Sequence, residues 1–167
     1  MAEASTRPPA DRRLSWLFAA VAAVLLAAMP AWRMSDQPAS ATYQQAPDAF
    51  EAKVEAMVAA HATGEADEEV PVVRPPPGDV YMLARRWQFY PVLELQAGET
   101  YRLHVASVDI VHGFHLGGAD LLLVPGQTSV VTVTPREGER PVIQCSEYCG
   151  LRHSRMTAWL RILPAGR

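Results

Sequence analysis

The segment CSEYCGLRHSRM, Cys145 to Met156, holds both cysteines of the chain, one of its five histidines and one of its six methionines. Thiolate, imidazole and thioether are soft or borderline metal donors, and together they are the donors of copper electron-transfer sites. A disulfide and a zinc site compete for the same residues. A Cys145–Cys149 bridge would close so short a ring that it removes little entropy from the unfolded chain, which makes it a poor staple. The C-x3-C spacing also falls within that of structural zinc, with His153 as a third ligand. The stretch VDIVHGFH, Val108 to His115, offers His112 and His115 as candidates for a fourth. Zinc leaves Met156 without a role. A single-copper site needs one Cys, two His and a weak axial Met. A second cysteine within reach allows two coppers to share both sulfurs.

Such donors need a rigid frame. From Asp79 onward the hydrophobic period is two: Val80, Met82 and Ala84 alternate with Tyr81, Leu83 and Arg85. Short apolar or alternating runs follow at 93–96, 101–106, 120–124, 129–134, 141–145 and 158–163. Ala97-Gly98, Gly117-Gly118, Pro125-Gly126 and Glu137-Gly138 separate them as turns. This spacing predicts a mainly β domain, an antiparallel sandwich or barrel, over residues 79–167. Fourteen prolines against ten glycines fit edge-rich β structure and stiff linkers.

Upstream, Leu14 to Trp32 carries no charge. As a helix these residues span about 28 Å, close to the roughly 30 Å of a hydrocarbon core. Trp16 and Trp32 lie near the two ends, where indoles favour the membrane interface. Arg7, Arg12 and Arg13 precede the span and only Arg33 closely follows it, so the positive-inside bias puts the N-terminus in the cytoplasm. Residues 1–13 read as a polar cytoplasmic tail, 14–32 as a transmembrane helix and 33–78 as a linker. The rival is a cleaved signal peptide with Ala39-Ser40-Ala41 as its site, but that site lies far beyond the apolar run. Within the linker, Pro47 to Thr63 has helical periodicity through Phe50, Val54, Met57, Val58 and His61 and predicts a surface helix. RPPPGD, Arg74 to Asp79, marks the expected domain boundary. The net charge is -3, with Lys53 the sole lysine, which gives no basic footprint for nucleic acid.

VHGFH together with CSEYCGLRHSRM resembles the CuA domain of subunit II of haem-copper terminal oxidases. Asp109, His112 and Phe114 match that family's D-x-x-H-x-F. Cys145, Glu147, Cys149, His153 and Met156 match its C-x-E/Q-x-C-x3-H-x2-M. RWQFYP and LELQAG fit its neighbouring stretches, and the resemblance covers 79–167. A single span resembles the ba-type branch, and no C-x-x-C-H follows to suggest a fused cytochrome c. The resemblance implies a cupredoxin-like Greek-key sandwich or barrel behind an N-terminal transmembrane helix, in a bacterial inner membrane with the copper domain periplasmic. It implies a binuclear copper cofactor. Cys145 and Cys149 would bridge the two ions, His112 and His153 would bind one each, and Met156 and the Glu147 carbonyl would be weak axial ligands.

The same resemblance implies electron transfer from cytochrome c, or a small copper protein, to the haems of subunit I, which reduces oxygen in a proton-pumping complex. This chain is then a subunit of a cytochrome c oxidase that does not itself carry the oxygen-reducing site. Trp87, and second Tyr90, are the aromatics expected where electrons enter. The Glu147 carboxylate is also offered to magnesium at the subunit I contact. His115 and His104 read as packed or surface strand residues, and Arg152 and Arg155 as solvated. Two further readings stand beside this one: the CuA subunit of a nitric oxide reductase, and a membrane-tethered copper carrier.

Overall fold

A computed structural model of the chain describes residues 12–34 and 40–166. The expected tail lies outside the described residues up to residue 11. The chain forms two units, 1–37 and 38–167.

In the first unit, α1 (Arg12–Met34) is one 23-residue helix. Its stretch Arg12–Met29 is long and apolar enough to cross a membrane. Leu17, Phe18, Val24, Leu25 and Leu26 all lie exposed along it.

The second unit is a β-sandwich. Its strands are β1 (Ser40–Gln44), β2 (Ala62–Asp67), β3 (Val70–Val73), β4 (Gly78–Arg85), β5 (Gln88–Tyr90), β6 (Val92–Gln96) and β7 (Tyr101–Ser107). They continue with β8 (His112–Leu116), β9 (Ala119–Leu123), β10 (Gln127–Val133), β11 (Val142–Gln144), β12 (Thr157–Trp159) and β13 (Arg161–Leu163). The strand orders are β1-β10-β7-β4-β5, β12-β11-β8-β9 and β13-β6-β3-β2. This is a cupredoxin-like architecture, mainly β as the alternating pattern predicted. It is not purely antiparallel, however: β4 and β7 pair in parallel, as do β3 with β6 and β6 with β13. The reason is topological. The β5 and β6 segments lie between β4 and β7 in the chain, so β7 returns beside β4 in the same direction.

The main core holds Val80, Met82, Ala84, Leu93, Leu95, Leu103, Val105, Phe114 and Ile143, and both cysteines and Met156 belong to it. The metal-donor residues therefore sit at the edge of a packed apolar interior, which fixes their rotamers. The run expected as one strand over 158–163 is two. Leu160, 2% exposed, is the point where the chain passes from the β11 sheet to the β6 sheet.

Residues 33–78 differ most from expectation. Three strands and a helix of this stretch belong to the sandwich. β1 completes the edge beside β10, while β2 and β3 extend the β6 sheet. The helix α2 (Pro47–His61) begins at the proline, as predicted. Phe50 and Val54 on it are fully buried, and Met57 nearly so. Phe50 and Val54 join Val70, Val72, Leu83, Tyr90, Val92 and Ala106 in a second core. The compact unit thus begins near residue 38, not at the proline run, because α2 covers a sheet face that would otherwise meet water.

On the outer side, Asp79 accepts from Arg102 Nε and Nη2, both at 2.6 Å, and lies 3.0 Å from His104 Nε2. These partners hold its carboxyl well below the usual range. A lowered acid pKa stabilises the fold above the unfolded value of about 3.9, and the contribution is lost as pH falls below it. The group is 39% exposed, so the effect is at most about 1 kcal/mol. Asp79→Asn should therefore lower stability slightly at pH 7 and flatten the acid limb of the stability profile, as read by denaturant melts from pH 2 to 7.

Candidate metal centre

Three segments converge at one end of the sandwich. The first is the turn between β7 and β8. His112, fully buried, opens β8, and its Nε2 lies 2.9 Å from Asp109 Oδ1. Asp109 also accepts from the backbone N–H of Arg86 and of Ile110. Burial pushes its pKa up, but the hydrogen bonds from Arg86, His112 and Ile110 outweigh this and leave the carboxyl below its ordinary value. An ionised carboxylate only accepts. The His112 proton therefore sits on Nε2, and the Nδ1 lone pair is left 3.9 Å from Cys145 Sγ. Carboxylates that orient metal-binding imidazoles this way are worth on the order of 10–100-fold in metal affinity. Asp109→Ala should cost about that much in a competition titration, with Asp109→Asn losing less because its amide oxygen still accepts.

The second segment is the cysteine loop after β11. The Cys145 N–H donates to the Met156 carbonyl at 3.1 Å, closing the loop. Cys145 Sγ lies 3.1 Å from the Glu147 carbonyl and 3.7 Å from Cys149 Sγ. A disulfide requires about 2.05 Å, so both cysteines are free. The third is a single 3-10 turn, His153–Arg155. It directs His153 Nδ1 and Met156 Sδ back to Cys149 Sγ, each at 3.7 Å.

The structure therefore brings together His112, Cys145, Cys149, His153, Met156 and the backbone oxygen of Glu147. The ligand atoms of His112, Cys145 and Cys149 all lie within 4.8 Å of one another. The donor chemistry fits a soft metal. An ion with thiolate bonds of about 2.3 Å can touch both sulfurs at once, since they are closer than twice that length. Burial, together with the hydrogen bond and charge of Cys145, pushes the Cys149 thiol up to about 11. Two buried sulfurs do not both ionise unaided, and a bound cation supplies the charge that lets them.

β alternation puts the two histidines on opposite sides, in line with the motif spacing that chose His112. Three positions apart on one strand, they face opposite sides. His112 is buried and His115 is exposed, opposite Asp120 on β9. His104 is a packing residue, bonded to Tyr43 and Asp79. The Glu147 residue is exposed, as are Tyr148 and Leu151, at 76% and 92%.

The aromatics part company. Trp87 donates its indole N–H to the Cys149 carbonyl at 3.2 Å. It also lines a cleft of about 240 Å³ with Asp67, Glu68, Arg155 and Trp159. Tyr90 is 9% exposed in the second core under α2. Its hydroxyl donates to Glu55, and the Arg85 guanidinium lies 4.8 Å over its ring. It is tied to the helix and belongs to a different core from the one holding the cysteines. Sequence reasoning matched Asp109 to a motif without giving it work. Its position three residues before a candidate histidine, in a turn, was the available signal.

No family model matches the chain. Over 81 residues, 46% of its length, it is 37% identical to a protein named cytochrome c oxidase subunit 2 from Thermus thermophilus. A probable cytochrome c oxidase subunit 2 from Streptomyces coelicolor is 33% identical over 81 residues. The chain is similar to cytochrome c oxidase subunit 2. The matched stretch covers 59% of the first relative and 25% of the second, so the likeness to subunit 2 is partial in length. One solved chain, from a cryo-EM structure of a haem-copper terminal oxidase dimer, shares the fold. It aligns at a TM-score of 0.56 over 91% of this chain and 99% of that one, at 16% identity.

Proposed function

We propose that the chain is the electron-transfer subunit of a respiratory haem-copper oxidase, holding a binuclear copper centre at the convergence just described. The observation that carries this reading is the pair of free, buried sulfurs 3.7 Å apart with an imidazole against each. Cys145 and Cys149 would hold two ions between them, with His112 and His153 as one further ligand each and Met156 and the Glu147 carbonyl in reach as weak ligands. Six donors exceed the four that a structural zinc takes. Two ions held through both thiolates would share one unpaired electron, so charge would enter and leave with little change in bond length.

The protein's part is to hold these donors still and dry. Asp109 fixes His112, the Cys145–Met156 backbone bond closes the loop, and the apolar core beneath excludes water. Trp87 lies between the surface cleft and the Cys149 carbonyl, and we assign it as the point where electrons arrive from cytochrome c or a small copper protein. Subunit I then receives them for oxygen reduction, and the exposed Glu147 carboxylate is available to magnesium at that contact. A copper carrier must release its ion, which burial of His112 and Met156 disfavours. A nitric oxide reductase subunit would use this site unchanged and differ only in the partner that receives the electron.

In this reading α1 anchors the chain in the bacterial inner membrane, N-terminus cytoplasmic, with the sandwich on the periplasmic side. Cleavage after Ala41 would remove Ser40 and Ala41 from their pairing with β10, which favours retention of α1. The test is copper per chain, with the optical and paramagnetic spectra, on the full chain in detergent. The expected result is two coppers and hyperfine splitting from an equivalent pair. A lone ion, or a colourless site, would overturn the reading.

A further inference from the structure

We propose that Gly113, Ser146 and Asp120 act together as positioning residues, a seat that sets the separation of the two thiols. The proposal rests on the paired-sulfur reading above, but its first test does not need metal.

The observation begins with the register of β8 and β11. Leu116 faces Ile143 and His115 faces Gln144. Continued, the ladder would place Phe114 opposite Cys145 and Gly113 opposite Ser146. The chain instead leaves the ladder after Gln144 and folds onto Gly113. A Cβ built there would lie 2.2 Å from Ser146 Oγ and 2.5 Å from the backbone nitrogens of both Ser146 and Glu147. Two of these three atoms are backbone, so no rotamer change relieves the overlap. A side chain at 113 must push the loop out by roughly 1 Å before ordinary contact returns. Gly113 is needed for close approach, not for an unusual φ.

The loop is also held from the side. Ser146 Oγ donates to Asp120 Oδ1 at 2.8 Å, tying it to β9. Seated between Gly113 and Asp120, Ser146 fixes its two neighbours: Cys145 before it, and Glu147 after it with its carbonyl against Cys145 Sγ. The far end of the loop is closed by the Cys145–Met156 backbone bond. The sulfurs are thus held farther apart than a disulfide and close enough to share an ion. None of the three seat residues touches a sulfur; each acts through the loop backbone.

The experiment uses the full chain in detergent with two readouts. In the metal-free reduced protein, diamide closes the Cys145–Cys149 disulfide, taking the two thiol hydrogens and becoming the hydrazine. Asp120→Ala is expected to speed this closure about tenfold, the factor set by loss of one charge-assisted hydrogen bond. Asp120→Asn, whose amide oxygen still accepts, should restore the wild-type rate. Gly113→Ala should also speed closure. With copper added, Gly113→Ala should take up at most one ion, and Asp120→Ala should hold a pair with a shifted visible band. If Gly113→Ala does not fold, Asp120→Ala decides alone. An unchanged closure rate in Asp120→Ala overturns the seat, as does an unchanged rate and copper count in a folded Gly113→Ala. A wild-type chain that takes up no copper pair overturns the metal reading and leaves the closure test standing.

Discussion

Cys149→Ser is expected to abolish the two-copper state. Cys149 Sγ is the hub of the centre: Cys145 Sγ, His153 Nδ1 and Met156 Sδ each lie 3.7 Å from it. A serine hydroxyl is a hard donor that does not ionise at neutral pH, so it cannot bridge two soft ions. Copper per chain should fall from two to one or none, and the splitting pattern of an equivalent pair should vanish, while the thermal melt of the metal-free chain stays near wild type. His115→Ala is the matched control. That side chain is exposed on the opposite side of β8 from His112, and its removal should leave copper count and spectrum unchanged. A silent Cys149→Ser, or a His115→Ala that loses copper, would overturn the ligand assignment.

A chain beginning at residue 79 is expected not to fold, whereas one beginning at 38 should. Starting at 79 removes Phe50, Val54, Val70 and Val72, the side of the second core that covers Leu83, Tyr90, Val92 and Ala106. Burying one large apolar side chain is worth about 1.5–3 kcal/mol, so four are worth on the order of 6–12 kcal/mol. Domains are commonly stable by only about 5–15 kcal/mol. The shorter chain also strips β1 from β10 and β3 from β6, opening two sheet edges to aggregation. Solubility and a cooperative urea transition in the two truncations are the readout. A soluble, cooperatively unfolding 79–167 fragment would show α2 and its strands to be dispensable.

These two expectations mark where sequence and structure each carry weight. The donor set was readable because a metal site of this kind is mostly local. Four of its side chains fall within twelve residues, and their spacing reflects one loop and one turn. The long apolar helix was readable because an uncharged run is a property of composition. Most strands after residue 78 were readable because alternation survives wherever one face is buried and the other wet. However, β5 and β8 stood out as no run of their own, and His112 and His115, expected just before a strand, lie within β8.

What the sequence left hidden depends on contacts between distant segments. The stretch 40–73 read as a linker because its strands are short, and VPVV has no alternation to show when β3 lies between two neighbours. The resemblance put Tyr90 second to Trp87 as the aromatic where electrons enter. Only the packing of α2 shows that it faces another core. Gly113 could be flagged as a glycine inside a strand, but not as the point where a loop thirty residues later lands.

By itself, then, the sequence determined the chemistry available at the site, the membrane-length apolar helix and the β character of the C-terminal domain, because each is written in neighbouring residues. The tertiary structure alone decided how far apart the sulfurs are held and where the folded unit begins. Those follow from strand register and from which surfaces exclude water together, and neither is a property of any short segment.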